Sequence, residues 1–176
     1  MNIVLVGYRG TGKTAVAELL AGLFGLRAVH LDDEIERKAA KTIPEIVRDA
    51  GWPAFRDLEE AVVARFSGQD GLVIDCGGGV VEREANFEAL RAAGPVIWLQ
   101  ASVDTIVKRI RDDVRRPPLT ESKSFTDEVA EVLARRTPLY QRLSHFAIDT
   151  DSLSVAQVVN TIQRLLIATW DSLNSD

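Results

Sequence analysis

Short, mostly apolar runs alternate along this chain with segments of helical periodicity. Asn2-Ile3-Val4-Leu5-Val6 reads as a buried strand. Behind it, Val16, Leu19, Leu20, Leu23 and Phe24 follow the i, i+3, i+4, i+7, i+8 spacing of an amphipathic helix. Arg27–Leu31, Leu72-Val73-Ile74 (ending in Asp75), Pro95–Leu99 and Phe146-Ala147-Ile148 read as four more strands. Helical patterns fill the gaps, at about 33–41, 43–49, 53–66, 82–93, 103–112 and 125–143. A last helix carries Val155, Val158, Val159, Ile162, Leu165 and Leu166 on one face, and Ser154 with Gln157 fits its capping box. Strands with no polar alternation, spaced by helices, are buried on both faces. The expected fold is therefore α/β, a doubly wound five-stranded parallel sheet.

Two features break the alternation. More than one helix separates the second and third strands, and a polar stretch with Pro117 and Pro118, at 112–124, follows the helix after the fourth. Insertions on a rigid sheet usually carry function. The first, at about 32–61, is read as a substrate-binding helical insertion. The second is read as a mobile lid that closes over the ligands and excludes water.

Composition narrows the class. A length of 176 residues suits one domain. The longest stretches without a charge, Ala92–Val103 and Ser152–Gln163, are too short to span a bilayer. The start lacks the basic region of a signal peptide, so a soluble, cytoplasmic protein is expected. Cys76 is the only cysteine, which excludes an internal disulfide and a cysteine-built metal site. A net charge of −5 argues against nucleic acid. Inside that acidic total, Arg outnumbers Lys 16 to 5, and seven arginines fall between Arg109 and Arg142. Arginine grips carboxylates and phosphates through two parallel hydrogen bonds, so the cluster points to small anions.

Gly7-Tyr8-Arg9-Gly10-Thr11-Gly12-Lys13-Thr14 fits the phosphate-binding pattern G-x-x-x-x-G-K-[ST], with a strand before it and a helix after it. Its glycines let backbone N–H groups of Gly10, Thr11, Gly12 and the following residues to Ala15 turn toward a phosphate. The helix N-terminus adds partial positive charge. Lys13 reaches the β- and γ-phosphates, and the Thr14 hydroxyl ligates Mg²⁺. No Asn-Lys pair exists to read guanine, so the pattern indicates a Mg-nucleotide site of another kind.

Further motifs gather at strand ends and in the insertions: Asp32-Asp33-Glu34-Ile35-Glu36, Phe55-Arg56-Asp57-Leu58-Glu59-Glu60, Gly77-Gly78-Gly79, Arg116-Pro117-Pro118-Leu119 and Arg135-Arg136-Thr137-Pro138-Leu139-Tyr140. With the phosphate loop, in this order and spacing, the chain resembles the shikimate kinases over nearly its full length. The resemblance implies transfer of the ATP γ-phosphoryl group to the 3-hydroxyl of shikimate, with Mg²⁺ as cofactor and ATP and shikimate as the partners of a monomer. It implies that Arg56 and Arg136 clamp the substrate carboxylate, with Glu59 orienting Arg56. It assigns Asp32 to the hydroxyls and to proton acceptance, Gly78 and Gly79 to backbone contact with the substrate, Arg116 to the lid and the transferring charge, and Arg109 to adenine. The catalytic set is then Lys13, Asp32 and Arg116.

The chain departs from the family pattern at three places. His30 stands where the family commonly has a metal-side Asp, Asp75 where it often has a small polar residue, and Leu153 where it often has an adenine-contacting Arg. Asp75, at a strand end, is expected to supply the carboxylate that His30 does not, with Thr14 as the other metal ligand. Two other readings stay open: a gluconate- or nucleoside-monophosphate-type kinase, and a catalytically silent nucleotide-binding regulator.

Overall fold

The computed structural model describes residues 2–110 and 125–173. Five strands are joined in one sheet: β1 (Ile3–Val6), β2 (Arg27–His30), β3 (Leu72–Asp75), β4 (Val96–Gln100) and β5 (Phe146–Asp149). Every pairing is parallel, and the order across the sheet is β2-β3-β1-β4-β5. The order reverses around β1, so the crevice where ligands enter a doubly wound sheet opens at its carboxyl end.

Helices α1 (Lys13–Phe24) and α7 (Val155–Leu173) cover one face; α2 (Leu31–Ala39), α3 (Ile43–Ser67), α4 (Glu84–Ala93) and α6 (Phe125–Leu143) cover the other. The division follows from the pleat, which sends alternate side chains to opposite faces. Ile3 and Leu5 join Val16, Leu20, Val158 and Ile162, whereas Val4 and Val6 join Phe55, Val62, Leu90 and Trp98. All four β1 side chains are fully buried, which explains the run without polar alternation. Helix α5 (Val103–Ile110) packs Ile106 and Ile110 against Tyr8, Val129 and Val132, and so ties α6 to the loop after β1.

Local signals hold at several ends. Ser154 caps α7 as expected: its N–H donates to Gln157 Oε1 at 2.8 Å, and Gln157 N–H donates back to Ser154 Oγ at 3.3 Å. The two helices expected at 43–49 and 53–66 run on as α3 across a kink at Gly51 (φ 77°), just before Pro53. Two boundaries differ from expectation. Helix α2 starts at Leu31 with no intervening turn, so Asp32 lies in its first turn. A 3-10 turn, Val80–Glu82, precedes α4, where the helical pattern had begun at Glu82. Leu31 is 1% exposed and serves the core in either conformation, so its apolarity does not mark where the strand ends. Among the described residues, no helix is long and apolar enough to cross a membrane.

Candidate active site

Strand β1 delivers the chain to a loop that only glycine can shape. Gly10 and Gly12 have φ of 81° and 90°, in the left-handed region that other residues rarely adopt. A Cβ on Gly10 would also lie 2.6 Å from Ile110 Cγ2. The loop closes on itself: the Tyr8 carbonyl accepts from Thr11 Oγ1 at 2.9 Å and from Lys13 Nζ at 3.0 Å. Lys13 is buried at the start of α1, beside the unsatisfied N–H groups of that helix.

The parallel pairing of β2 with β3 sets His30 directly beside Asp75. Asp75 Oδ2 accepts from Thr14 Oγ1 at 2.7 Å and lies 3.0 Å from His30 Nδ1; His30 Nε2 is 2.7 Å from Glu18 Oε1. The hydrogen bond to Asp75 outweighs the cost of burial and, with Glu18, raises the His30 pKa to about 9. The two expected metal residues, Thr14 and Asp75, are thus in contact. Their hydroxyl and carboxylate are hard oxygen donors of the type Mg²⁺ takes. Ala15, Asp32 and Gly78 line the same cleft as Gly10, Gly12, Lys13 and Thr14. Asp32 packs so close to the glycine run that a Cβ on Gly77 would lie 2.6 Å from its Oδ1.

A second, smaller compartment adjoins this cleft, lined by Tyr8, Trp52, Phe55, Arg56, Glu59, Gly79 and Arg136; Arg9, Ile43 and Gly78 line both. Helix α3 contributes Arg56 and Glu59, three residues apart and therefore on one face. Arg56 Nη1 donates to Glu59 Oε2 at 2.6 Å, with both side chains buried. Burial pushes the Glu59 carboxyl pKa up, and Arg56 opposes that rise. Arg56 also sits over the rings of Trp52 and Phe55. Helix α6 contributes Arg136 from the opposite side. Burial pushes the Tyr140 hydroxyl pKa up; it stays protonated and donates to the Gly78 carbonyl, fastening the glycine run to α6.

The expected residues therefore fall into two adjoining groups. Lys13, Thr14, Ala15, Asp32 and Asp75 line the larger cleft; Arg56, Gly79 and Arg136 line the smaller; Gly78 belongs to both. A Cβ on Gly79 would fall 2.0 Å from Arg56 Nη2, so the missing side chain makes room for the guanidinium. Arg109 donates to the Gly10 carbonyl at 3.1 Å and the Thr150 carbonyl at 2.9 Å, which ties the phosphate loop to the segment after β5. Leu153 packs with the α1–α7 core. Arg116 and the segment 112–124 lie outside the described residues. Neither His145 nor Cys76 shows reactive chemistry. His145 Nδ1 accepts from Val96 N–H at 2.9 Å, and burial raises the Cys76 thiol pKa.

Sequence reasoning missed Glu82. Its carboxylate reaches Arg56 Nη2 at 2.9 Å, Arg136 Nε at 3.0 Å and Arg135 Nη2 at 2.7 Å. It also missed Arg9, whose buried Nε has no hydrogen-bond partner among the described residues. Arg9 had a signal, a cation within the phosphate loop. Glu82 had none, since an acid opening a helix reads as an ordinary solvated charge.

The shikimate kinase family model matches residues 9–167. The chain belongs to the shikimate kinase family. Among its relatives, the shikimate kinase of Symbiobacterium thermophilum is 41% identical over 167 residues, covering 94% of this chain and 96% of that one. That of Persephonella marina is 37% identical over 161 residues, covering 92% and 96%. A shikimate kinase from Acinetobacter baumannii, solved in complex with shikimate, is 33% identical and superposes with a TM-score of 0.91, covering 96% of this chain and 93% of that one. Family membership makes ATP the phosphoryl donor, and the phosphate loop described above is a part such a kinase requires.

Proposed function

We infer that this chain transfers the γ-phosphoryl group of ATP to the 3-hydroxyl of shikimate, giving shikimate 3-phosphate and ADP. The observation that carries the reading is the meeting of the two compartments at Arg9, Ile43 and Gly78, a phosphate cleft on one side and a carboxylate clamp on the other. A small polyol acid anchored at Arg56 and Arg136 presents its hydroxyls toward Asp32 and the phosphate loop. Phosphoryl transfer asks little covalent chemistry of the protein; it needs alignment and stabilisation of the charge on the transferring oxygens.

Arg56, held by Glu59, and Arg136 fix the carboxylate with charge-assisted hydrogen bonds, which set both position and orientation. Asp32 orients the attacking hydroxyl and accepts its proton as the new P–O bond forms. Backbone N–H groups from Gly10 to Ala15 cradle the phosphates. Lys13 releases the Tyr8 carbonyl and stabilises charge on the β- and γ-phosphates. The Thr14 hydroxyl and the Asp75 carboxylate would hold Mg²⁺, which would supply neutralisation of the charge on the phosphate oxygens. Arg109 supports the nucleotide end of the cleft, and Arg116 on the lid adds a cation to the transferring group. The kinase works on small molecules as a cytoplasmic monomer.

A coupled ADP-release assay tests the reading. ADP release must require shikimate as well as ATP and Mg²⁺; release with gluconate or a nucleoside monophosphate in its place refutes it. Asp32→Asn is expected to lower kcat by about 100- to 10,000-fold, the usual range for losing a positioned base. A loss below tenfold removes Asp32 from proton transfer.

A further inference from the structure

Arg56 and Arg136 have a carboxylate between them already. Glu82 Oε1 takes the side edge of Arg136, from Nε at 3.0 Å and Nη2 at 3.0 Å, and also accepts from Arg135 Nη2 at 2.7 Å. Glu82 Oε2 accepts from Arg56 Nη2 at 2.9 Å, while Arg56 Nη1 is spent on Glu59. The two-pronged edges that would grip an incoming carboxylate are therefore engaged. Burial favours the neutral acid at Glu82, but Arg136, Arg56 and Arg135 outweigh it and hold the pKa below the ordinary carboxylate range. Glu82 is thus an anion like the one the clamp is built to receive.

The surrounding geometry gives this anion two homes. Its side chain is 25% exposed, whereas those of Arg56 and Arg136 are 9% and 6% exposed. Arg135 is 63% exposed and lies on the solvent side of the cluster. Glu82 stands on the short 3-10 turn directly after the glycine run, where Asn86 Nδ2 holds the Val80 carbonyl at 2.8 Å. A rotation of the Glu82 side chain that leaves this turn in place would release the two inner arginines and keep the contact with Arg135.

We propose that Glu82 is a specificity-determining residue, a resident carboxylate that keeps the buried clamp paired when no substrate is bound and must yield Arg56 and Arg136 to the substrate's own carboxylate. The proposal rests on the shikimate kinase reading. Leaving Arg136 without an anion, and Arg56 with Glu59 alone, is unfavourable in a desolvated pocket, so the ligand-free clamp keeps its geometry through Glu82. Each binding event then exchanges one carboxylate for another, and apparent affinity is reduced by the fraction of time Glu82 holds the seat. Only a ligand whose own carboxylate replaces both contacts makes the exchange favourable. Arg135 helps the exchange by receiving the displaced group.

Two variants with opposite expected signs test this by calorimetric titration of shikimate. Glu82→Gln keeps the shape and removes the competing charge; its shikimate Kd is expected to fall about five- to twentyfold, with ATP affinity unchanged. Its ligand-free Tm is expected to fall, and the rise in Tm on adding shikimate to grow. Arg135→Gln removes the receiving group and is expected to weaken shikimate about two- to fivefold, the scale of an exposed ion pair. A Glu82→Gln protein that binds shikimate equally or more weakly overturns the proposal. Should that variant fail to fold, Arg135→Gln decides alone, and unchanged or tighter binding overturns it. Shikimate-dependent ADP release by the unaltered protein distinguishes the two levels. With that release present, contrary variants sink only the Glu82 proposal; without it, the kinase reading fails and the proposal fails with it.

Discussion

Adding one methyl group at Gly79 tests the clamp without substituting either arginine. A Cβ at this position would lie 2.0 Å from Arg56 Nη2 and 2.3 Å from both Cζ and Nη1. Ordinary carbon contacts begin near 3.4 Å, so the guanidinium must retreat by more than an ångström. It has little freedom to do so gently, because it is bonded to Glu59 at 2.6 Å and Glu82 at 2.9 Å and stands over two aromatic rings. Gly79 itself has φ −97°, which alanine adopts freely, so the perturbation is contact and not backbone strain. Displacing Arg56 removes one charge-assisted grip on the substrate carboxylate, worth about 2–3 kcal/mol. Since 1.4 kcal/mol is a factor of ten, Gly79→Ala should raise the shikimate KM by roughly 30- to 150-fold. The KM for ATP should stay within about twofold, because the phosphate loop shares no atom with this contact. Steady-state kinetics with each substrate varied in turn give both values. A shikimate KM within threefold of the unaltered protein would free Arg56 from any role in holding the carboxylate. An equal rise in both KM values would mean that the glycine run as a whole had collapsed.

Two further predictions concern the metal side of the cleft. Asp75→Asn should raise the Mg²⁺ concentration needed for half-maximal turnover by roughly tenfold, since one anionic oxygen near the Thr14 hydroxyl is lost; an unchanged Mg²⁺ dependence removes Asp75 from the metal site. His30 links this region to pH. Its folded pKa of about 9 lies above its unfolded 6.5, so its contribution is fully present below pH 6.5 and is lost as pH rises toward 9. Allowing for solvent screening, the contribution is about 1–2 kcal/mol. Urea unfolding at both ends of that window should show the loss in the unaltered protein and none in His30→Gln; equal pH slopes in the two proteins refute it.

Most of the fold could be read from the chain because its signals are local. Five apolar runs, the glycine loop and the Ser154 cap each lie within a few residues, and each was found where its pattern fell. The Arg56–Glu59 pair was also legible, since helical spacing alone sets the two side chains together. What escaped detection depends on convergence. Glu82 meets Arg56 from 26 positions away and Arg136 from 54 positions away, through three different elements. The Tyr140 bond to the Gly78 carbonyl spans 62 positions and depends on how α6 lies against the glycine run. No periodicity encodes such meetings; they follow from the order of strands, which places the ends of β1 and β3 side by side.

That convergence explains why a net-acidic protein carries so many arginines near one site. In the ligand-free clamp the guanidiniums of Arg56, Arg135 and Arg136 face the carboxylates of Glu59 and Glu82. Among these five groups the guanidiniums outnumber the carboxylates by one, and the buried arginines cannot be neutralised by deprotonation. A substrate carboxylate supplies the missing charge. Glu59 stays with Arg56, Glu82 moves to Arg135, and the newcomer bridges Arg56 and Arg136. Every guanidinium then has an anionic partner, and no carboxylate is left buried without one. A neutral sugar alcohol of the same size would leave that imbalance in place. Under the Glu82 proposal, charge balance within the pocket favours an acid over a neutral polyol. The acidic residues that dominate the overall charge are part of this arrangement: without Glu59 and Glu82, two buried arginines facing each other would repel, and the clamp would not hold its shape between turnovers.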